Sequence, residues 1–495
     1  MSKLIGIDVS TTATKALVID QGGSVVGVGA SSYEYDTPRP TWSEQDPHLW
    51  WDATVIAVRS ALEHSGVGPK DIDALGLTGQ MHGSVLLDDD RQVVRPALLW
   101  NDQRTAAECD EIRARVGRER LIATTGNDAL TGLTSPKLLW VRNNEPDNWA
   151  RVRLVVLPKD YVRLRLTDVP AVDVAGGSGT GLFDLADRTW SVPVLQALAL
   201  DPKLFPEAHE GPDITGRLTD AASAATGLLA GTPVVAGGGD QSANAVGVGA
   251  TISGRVALSL GTSGVVFATS DGPTVEEDAR VQAFCHAIPD RWHMMGVMLS
   301  AAGSLRWLRD AVAPGDEFTE MIDGASRVAA ASEGLLFLPY LSGERTPHPD
   351  PKARGAFVGL TTSHDLRHMT RAVMEGVAFG LRDGLDLMVQ AGAPRPESVR
   401  ASGGGTKSAL WRQILADVLE TRIDRVVTEE GAAYGAGLLA SVGAGHHASV
   451  DAAVDSLVQL EPGCEPSQNV GVYRAAHARY RELYPALRPI FHADD

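Results

Sequence analysis

Two carboxylates stand where small residues leave the backbone open. Asp8 ends an apolar run and enters "DVSTTATK", a turn crowded with hydroxyls and closed by Lys15. Asp240 follows Gly237, Gly238 and Gly239 in "VVAGGGDQSANAVGVG". A carboxylate at a buried strand end can hold a hydrated Mg²⁺ against a polyphosphate, because Mg²⁺ takes oxygen ligands and keeps several waters. It can equally bond the amides of its own loop. Asp240 has the position of a helix N-cap. It can also accept the proton of a substrate hydroxyl, the base step of phosphoryl transfer. A cap does not require three glycines, which cost chain entropy, so the base reading is favoured and something is expected to approach the triplet closely.

Other segments supply groups suited to a polyol. "LTGQMHGSVLL" places Gln80, Met81 and His82 in a turn between glycines. There His82 is expected to donate to a polyol oxygen while Met81 packs on the carbon skeleton. "ALLWNDQRT" offers Trp100, Asn101 and Asp102, an apolar face beside polar forks, as ligand pockets combine them. A core role for Trp100 is the alternative. Cys285, His286 and His293 do not have zinc-ligand spacing. No Gly-x-x-x-x-Gly-Lys-Ser/Thr loop occurs, and no dinucleotide fingerprint opens the chain.

These groups need strands and turns to position them. "KLIGID" and "KALVID" read as a hairpin around the Ser/Thr turn, and "VVGVGASSYEY" continues the meander. Asp46 and Pro47 signal a helix start, with Trp51, Val55, Val58 and Leu62 as its apolar stripe and Gly66 as its stop. "VALSLGTSGVVFATSD", residues 256–271, repeats the strand-turn-strand pattern of the opening. Overlaid, Gly261 and Thr262 fall on Ser10 and Thr11. Two such units predict two similar α/β domains with facing turns, 1–248 and 249–495. "VRASGGGTKSALWRQILADVLE" reads strand, glycine turn (Gly403, Gly404 and Gly405), then helix, a form that lets a phosphate or flat ligand lie near the backbone.

The chain has 495 residues, enough for two domains. A net charge of −18 argues against nucleic acid as partner but allows a phosphorylated small molecule held by local donors. No apolar run approaches the roughly 20 residues of a membrane helix, and "MSKLIGID" is no secretory signal. Three scattered cysteines give no disulfide framework. A soluble, cytoplasmic protein acting on small molecules is expected, with its oligomeric state open and a homodimer as one form.

The motifs together resemble the FGGY carbohydrate kinases over nearly the full length. They include "WSEQDPHLWW", "GQMHGSVLLD", "RPALLWNDQRT", "TSPKLLWVRNNEP", "LPKDYVRLRLT", "FLPYLSGERTPH", and "GAFVGL" followed by "HMTRAVME". The resemblance implies two ribonuclease-H-like domains of the actin and hexokinase superfamily around a central cleft, with ATP and Mg²⁺. Asp240 then matches the base and Asp8 the carboxylate near metal and γ-phosphate, the two together forming the metal site. Met81 and His82 match the substrate dipeptide of the xylulose-phosphorylating branch, where glycerol kinases carry Arg-Glu. Trp100, Asn101, Asp240 and Gln241 would complete the sugar site. Thr11, Thr12, Lys15, Gly261, Thr262 and Gly403–Gly405 would hold the nucleotide.

The implied reaction is phosphorylation of D-xylulose to D-xylulose 5-phosphate, feeding xylose catabolism into the pentose phosphate pathway. Alternatives are a ribulose, gluconate or glycerol kinase of the family, or a non-catalytic sugar sensor or actin-like protein. Two departures stand out. Ser10 to Ala13 replace the Gly-Thr-Ser-Gly common in xylulose kinases, and Gln241 stands where Asn is common.

Overall fold

The computed structural model describes residues 2–428 and 430–493. The opening segments fold as their alternation requires. Lys3–Val9 and Ala13–Asp20 pair antiparallel, and Val25–Ser32 joins them as a third strand. Ile72–Gly79 then lies parallel to the first strand, so both end at the same edge as Asp8. Pro233–Val235 and Gly238–Gly239 extend this sheet along Ile72–Gly79.

The second half repeats the plan. Arg255–Leu260 and Gly264–Ser270 form an antiparallel hairpin, Trp292–Met298 adds to it, and Ser398–Ser402 lies parallel to its first strand. Arg422–Val426 continues in parallel. Both sheets thus run from antiparallel strands into parallel ones, the second with a fourth antiparallel strand, Gln282–Cys285, and each ends in an antiparallel edge strand, Ile214–Arg217 and Leu460–Cys464. This is the duplicated α/β architecture expected from the repeat of the opening hairpin.

The helix Pro47–Ser65 starts at Asp46, whose side chain accepts from the His48 N–H, and stops at Gly66 in the left-handed region. Its buried face differs from the apolar stripe read from sequence. Trp50, Ala53, Ala57, Val58 and Ala61 are buried, whereas Trp51, Val55 and Leu62 are only half-buried. Backbone proximity explains the rotation: a Cβ on Gly29 of the third strand would lie 2.0 Å from the Ala57 carbonyl oxygen. The helix turns its alanines to the glycine strand because only small residues permit that approach.

Each sheet is covered on one face by a helix from the other half of the chain. Gly431–Gly443 packs on the first sheet, where Leu438 and Leu439 share a core with Leu4, Leu17 and Ala74. A Cβ on Gly6 would lie 1.9 Å from the Ala433 carbonyl oxygen, so this helix rests directly on strand backbone. Asp240–Val248 places Ala245 and Val248 against Ala257, Phe267 and Val426 of the second sheet. The two helices cross in backbone contact: a Cβ on Gly435 would lie 1.8 Å from the Ala243 carbonyl oxygen. The outer face of the second sheet is covered by Leu366–Gln390 and Ala409–Leu419, the latter burying Trp411, Ile414, Leu415, Val418 and Leu419 as its spacing predicts. No helix among the described residues is long and apolar enough to cross a membrane.

Candidate active site

The first hairpin turn is built to present amides. The Ser10 N–H and hydroxyl both donate to the Ala13 carbonyl, at 3.0 and 2.7 Å. The Tyr33 hydroxyl donates to Ser10 O at 2.7 Å, Gln45 Nε2 to Thr11 O at 3.1 Å, and the Tyr33 N–H to Thr12 O at 3.0 Å. Every carbonyl from Ser10 to Ala13 is therefore held back by the protein. The N–H groups of Thr11 and Thr12 donate to no acceptor among the described residues.

The second turn withdraws its carbonyls by another route, while the Gly261 N–H donates to Ser263 O at 3.0 Å. Gly261 O accepts from the Ala302 N–H at 2.9 Å, and Thr262 O from Ala301 and Gly303 at 2.9 and 3.1 Å. Those donors sit at the start of the helix Ala302–Val312. Both turns withdraw their carbonyls, and the Thr11 and Thr12 amides, which have no acceptor among the described residues, suit an anion with many oxygens.

Beside the second turn opens a cavity of 880 Å³, lined by Gly261, Thr262, Leu305, Phe318, Ile322 and Gly404 among others. Its glycine turn divides by role. Gly403 takes a φ of +93° and Gly405 sits against Leu260, where a Cβ would lie 2.6 Å from the leucine Cδ2. Gly404 alone faces open space.

Asp8 is half-buried, but its Oδ1 is shut off from solvent and has no hydrogen-bond partner among the described residues. Burial, with Asp240 and Glu430 nearby, pushes its pKa up to about 7, although Lys15 pulls it down. Burial also raises Asp240 to about 6, opposed by the Gln241 N–H donating to its Oδ1 at 2.7 Å and by the Gln241 side chain. Like charges sharing a dry site resist joint ionisation, which is the environment a cation relieves. An all-oxygen set with an unpartnered buried carboxylate oxygen fits Mg²⁺. Lys15, expected to face phosphate, donates instead to Glu430 Oε2 at 2.5 Å.

Asp240 is the first helical residue rather than the cap, which is Gly239. The triplet before it is required by protein contacts, not by a ligand. Gly237 has a φ of +77° beside the Leu77 carbonyl, Gly238 abuts Ala287, and a Cβ on Gly239 would lie 2.7 Å from Met81 Cγ. The triplet thus seats Met81 directly against the Asp240 turn.

His82 Nδ1 lies 2.6 Å from Gly179 O. A carbonyl only accepts, so Nδ1 carries the proton. Burial holds the ring's pKa down to about 3, so it is neutral and Nε2 is an acceptor. In this state the other ring nitrogen, Nε2, can accept a hydrogen bond, whereas the expected role of His82 was to donate one. Trp100 is 39% exposed and donates to Thr11 Oγ1 at 3.0 Å, so it is not core. Asn101 Oδ1 is buried without a partner among the described residues. Asp102 is no sugar fork: it is buried, paired with Arg104 at 2.7 Å, and accepts from the Ser43 N–H at 2.7 Å.

Sequence reasoning missed Gln45, Tyr33 and Glu430. Gln45 and Tyr33 had a signal, "YEY" and "WSEQD" following the hairpin, but nothing local pointed to their carbonyl targets. The side chain of Phe284, from the second half, also reaches this site, with its ring 5.8 Å from that of His82.

The comparisons agree with this geometry. Residues 3–247 match the N-terminal domain of the FGGY family of carbohydrate kinases, and residues 256–444 its C-terminal domain. A xylulose kinase of Escherichia coli is 42% identical over 98% of this chain and 99% of its own length. The crystal structure of a xylulose kinase from Rhodospirillum rubrum is 32% identical and superposes with a TM-score of 0.92, covering 99% of this chain and 100% of that one. A gluconate kinase from Lactobacillus acidophilus is 26% identical with a TM-score of 0.94, and each chain is covered in full. With both family domains matched in order, one over each sheet, this chain belongs to the FGGY family of carbohydrate kinases.

Proposed function

We propose that this protein transfers the γ-phosphoryl group of ATP to the terminal hydroxyl of D-xylulose, giving D-xylulose 5-phosphate. The observation that carries the reading is Asp240. It is a half-buried carboxylate with a pKa pushed up to about 6 by desolvation, directly after the glycine that abuts Met81 and close enough to Asp8 to raise its pKa. Asp240 accepts the hydroxyl proton as the oxygen becomes a nucleophile, a base poised near neutral pH. The Thr11, Thr12 and Thr262 turns orient phosphate oxygens in line with that hydroxyl, and Gly404 gives the nucleotide close access to backbone. Asp8, with Asp240 alongside, would hold a Mg²⁺, which would supply positive charge to the phosphates. Lys15 exchanges Glu430 for phosphate when the nucleotide is present. On the sugar side, Met81 packs on carbon, the His82 Nε2 accepts a hydroxyl proton, and Trp100, Asn101 and Gln241 close the pocket.

A coupled ADP-release assay over D-xylulose, D-ribulose, gluconate and glycerol tests this. We expect the highest kcat/KM for D-xylulose, by at least about tenfold. A preference for gluconate or glycerol refutes the substrate, and binding of ATP and sugar without ADP release refutes the enzyme. Asp240→Asn keeps the shape and removes the base, so kcat falls by about 10²–10⁴-fold while sugar still binds.

A further inference from the structure

Lys137 is fully buried in the first turn of the helix Thr134–Asn144, within the segment "TSPKLLWVRNN". Its ammonium does not meet a carboxylate. Nζ donates to two carbonyl oxygens, His82 at 2.9 Å and Gly132 at 2.5 Å. Asp102, whose charge favours the ammonium form, is itself committed to Arg104. A buried amine on carbonyls is costly, and an apolar side chain of the same length would fill the space without that cost.

The two carbonyls belong to two loops of the sugar site. His82 has a φ of +68°, which a side-chain-bearing residue rarely adopts unless its surroundings enforce it. Its carbonyl receives Lys137 and, at 3.1 Å, Thr134 Oγ1, while its ring is tied to Gly179 O. The peptide is thus gripped from one side and the imidazole from the other, which fixes the direction of Nε2. Gly132 lies under the tryptophan loop, where a Cβ would stand 3.0 Å from Trp100 O.

We propose that Lys137, seconded by Thr134, is a positioning residue for sugar recognition: it locks the His82 turn in its left-handed conformation and ties it to the Trp100 loop. The inference rests on the reading that His82 contacts the sugar. Burial pushes the Lys137 pKa down to about 7, and either protonation state retains N–H donors for both carbonyls.

The test is a double-mutant cycle read in Michaelis constants. The variants are Lys137→Met, Thr134→Val, His82→Asn (Asn tolerates the left-handed region) and Lys137→Met with His82→Asn. Thermal melting checks that each is folded. We expect Lys137→Met to raise the KM for D-xylulose about tenfold and Thr134→Val about threefold, with the KM for ATP within about twofold. In the His82→Asn background, Lys137→Met should add less than about twofold, because its effect passes through His82. Independent, multiplying effects in the cycle, or equal rises in both Michaelis constants, overturn the positioning role. If Lys137→Met does not fold, an unchanged ketose KM in Thr134→Val overturns it. An unchanged ketose KM in His82→Asn instead overturns the placement of His82 at the sugar.

Discussion

Asp8→Asn should cost the enzyme its turnover and yet make the ligand-free protein more stable. The Asp8 carboxyl moves from an ordinary value of 3.8 to about 7 on folding, because it is desolvated close to Asp240 with an oxygen that nothing satisfies. An acid whose folded-state pKa lies above its unfolded value penalises the fold when ionised. The penalty is absent below about pH 4, grows as pH rises, and is complete above about 7. By linkage it amounts to about 4 kcal/mol at pH 8 and under half of that at pH 5. Asn keeps the shape and removes the charge, but burying its amide takes back about 1–3 kcal/mol. The net gain at pH 8 is on the order of 1–3 kcal/mol, readable as a rise of a few degrees in the melting temperature. Parallel melts at pH 8 and pH 5, without nucleotide or metal, give the comparison. A variant no more stable than wild type at pH 8, or one that gains equally at pH 5, refutes the argument that this carboxylate is strained.

The base makes a second pH prediction: kcat/KM should fall about tenfold per unit below pH 6, as Asp240 takes up its proton, and a flat profile from pH 8 to 5 would exclude it. Ser10→Gly should leave the KM for ATP within about twofold, because the Ser10 hydroxyl is spent on the Ala13 carbonyl. The same change should lower stability by about 0.5–1.5 kcal/mol, seen in a urea melt. A tenfold change in nucleotide KM would mean that the hydroxyl contacts phosphate after all.

What was legible in the sequence is what local pattern dictates. Alternating apolar residues around a small-residue turn gave both hairpins, and their correspondence gave the duplication. Asp46, Pro47 and Gly66 marked a helix because caps act within one turn. Its buried face was not legible, since hydropathy ranks Val55 and Leu62 above the alanines that a glycine strand demands. The glycines before Asp240 signalled close approach correctly, but a sequence does not say whether Met81 or a ligand approaches. The Lys15–Glu430 pair joins positions in opposite halves of the chain, and no spacing rule reaches so far. The protonation of His82 depended on which atom faced Gly179, a fact of tertiary packing.

The crossing helices also set an order of events during synthesis. The strands of the first sheet are complete once Gly239 has been made, yet the helix that covers one of its faces begins at Gly431. About 190 residues separate the two, and at roughly 5–20 residues per second the ribosome needs on the order of ten to forty seconds to cover the gap. For that interval Leu4, Leu17 and Ala74 have only strand neighbours such as Ile19 and Val235 and lack the covering helix, and Asp240–Val248 waits for a sheet not yet translated. The first half therefore emerges with one face of its sheet uncovered. Slowing translation downstream of residue 239 lengthens its exposure.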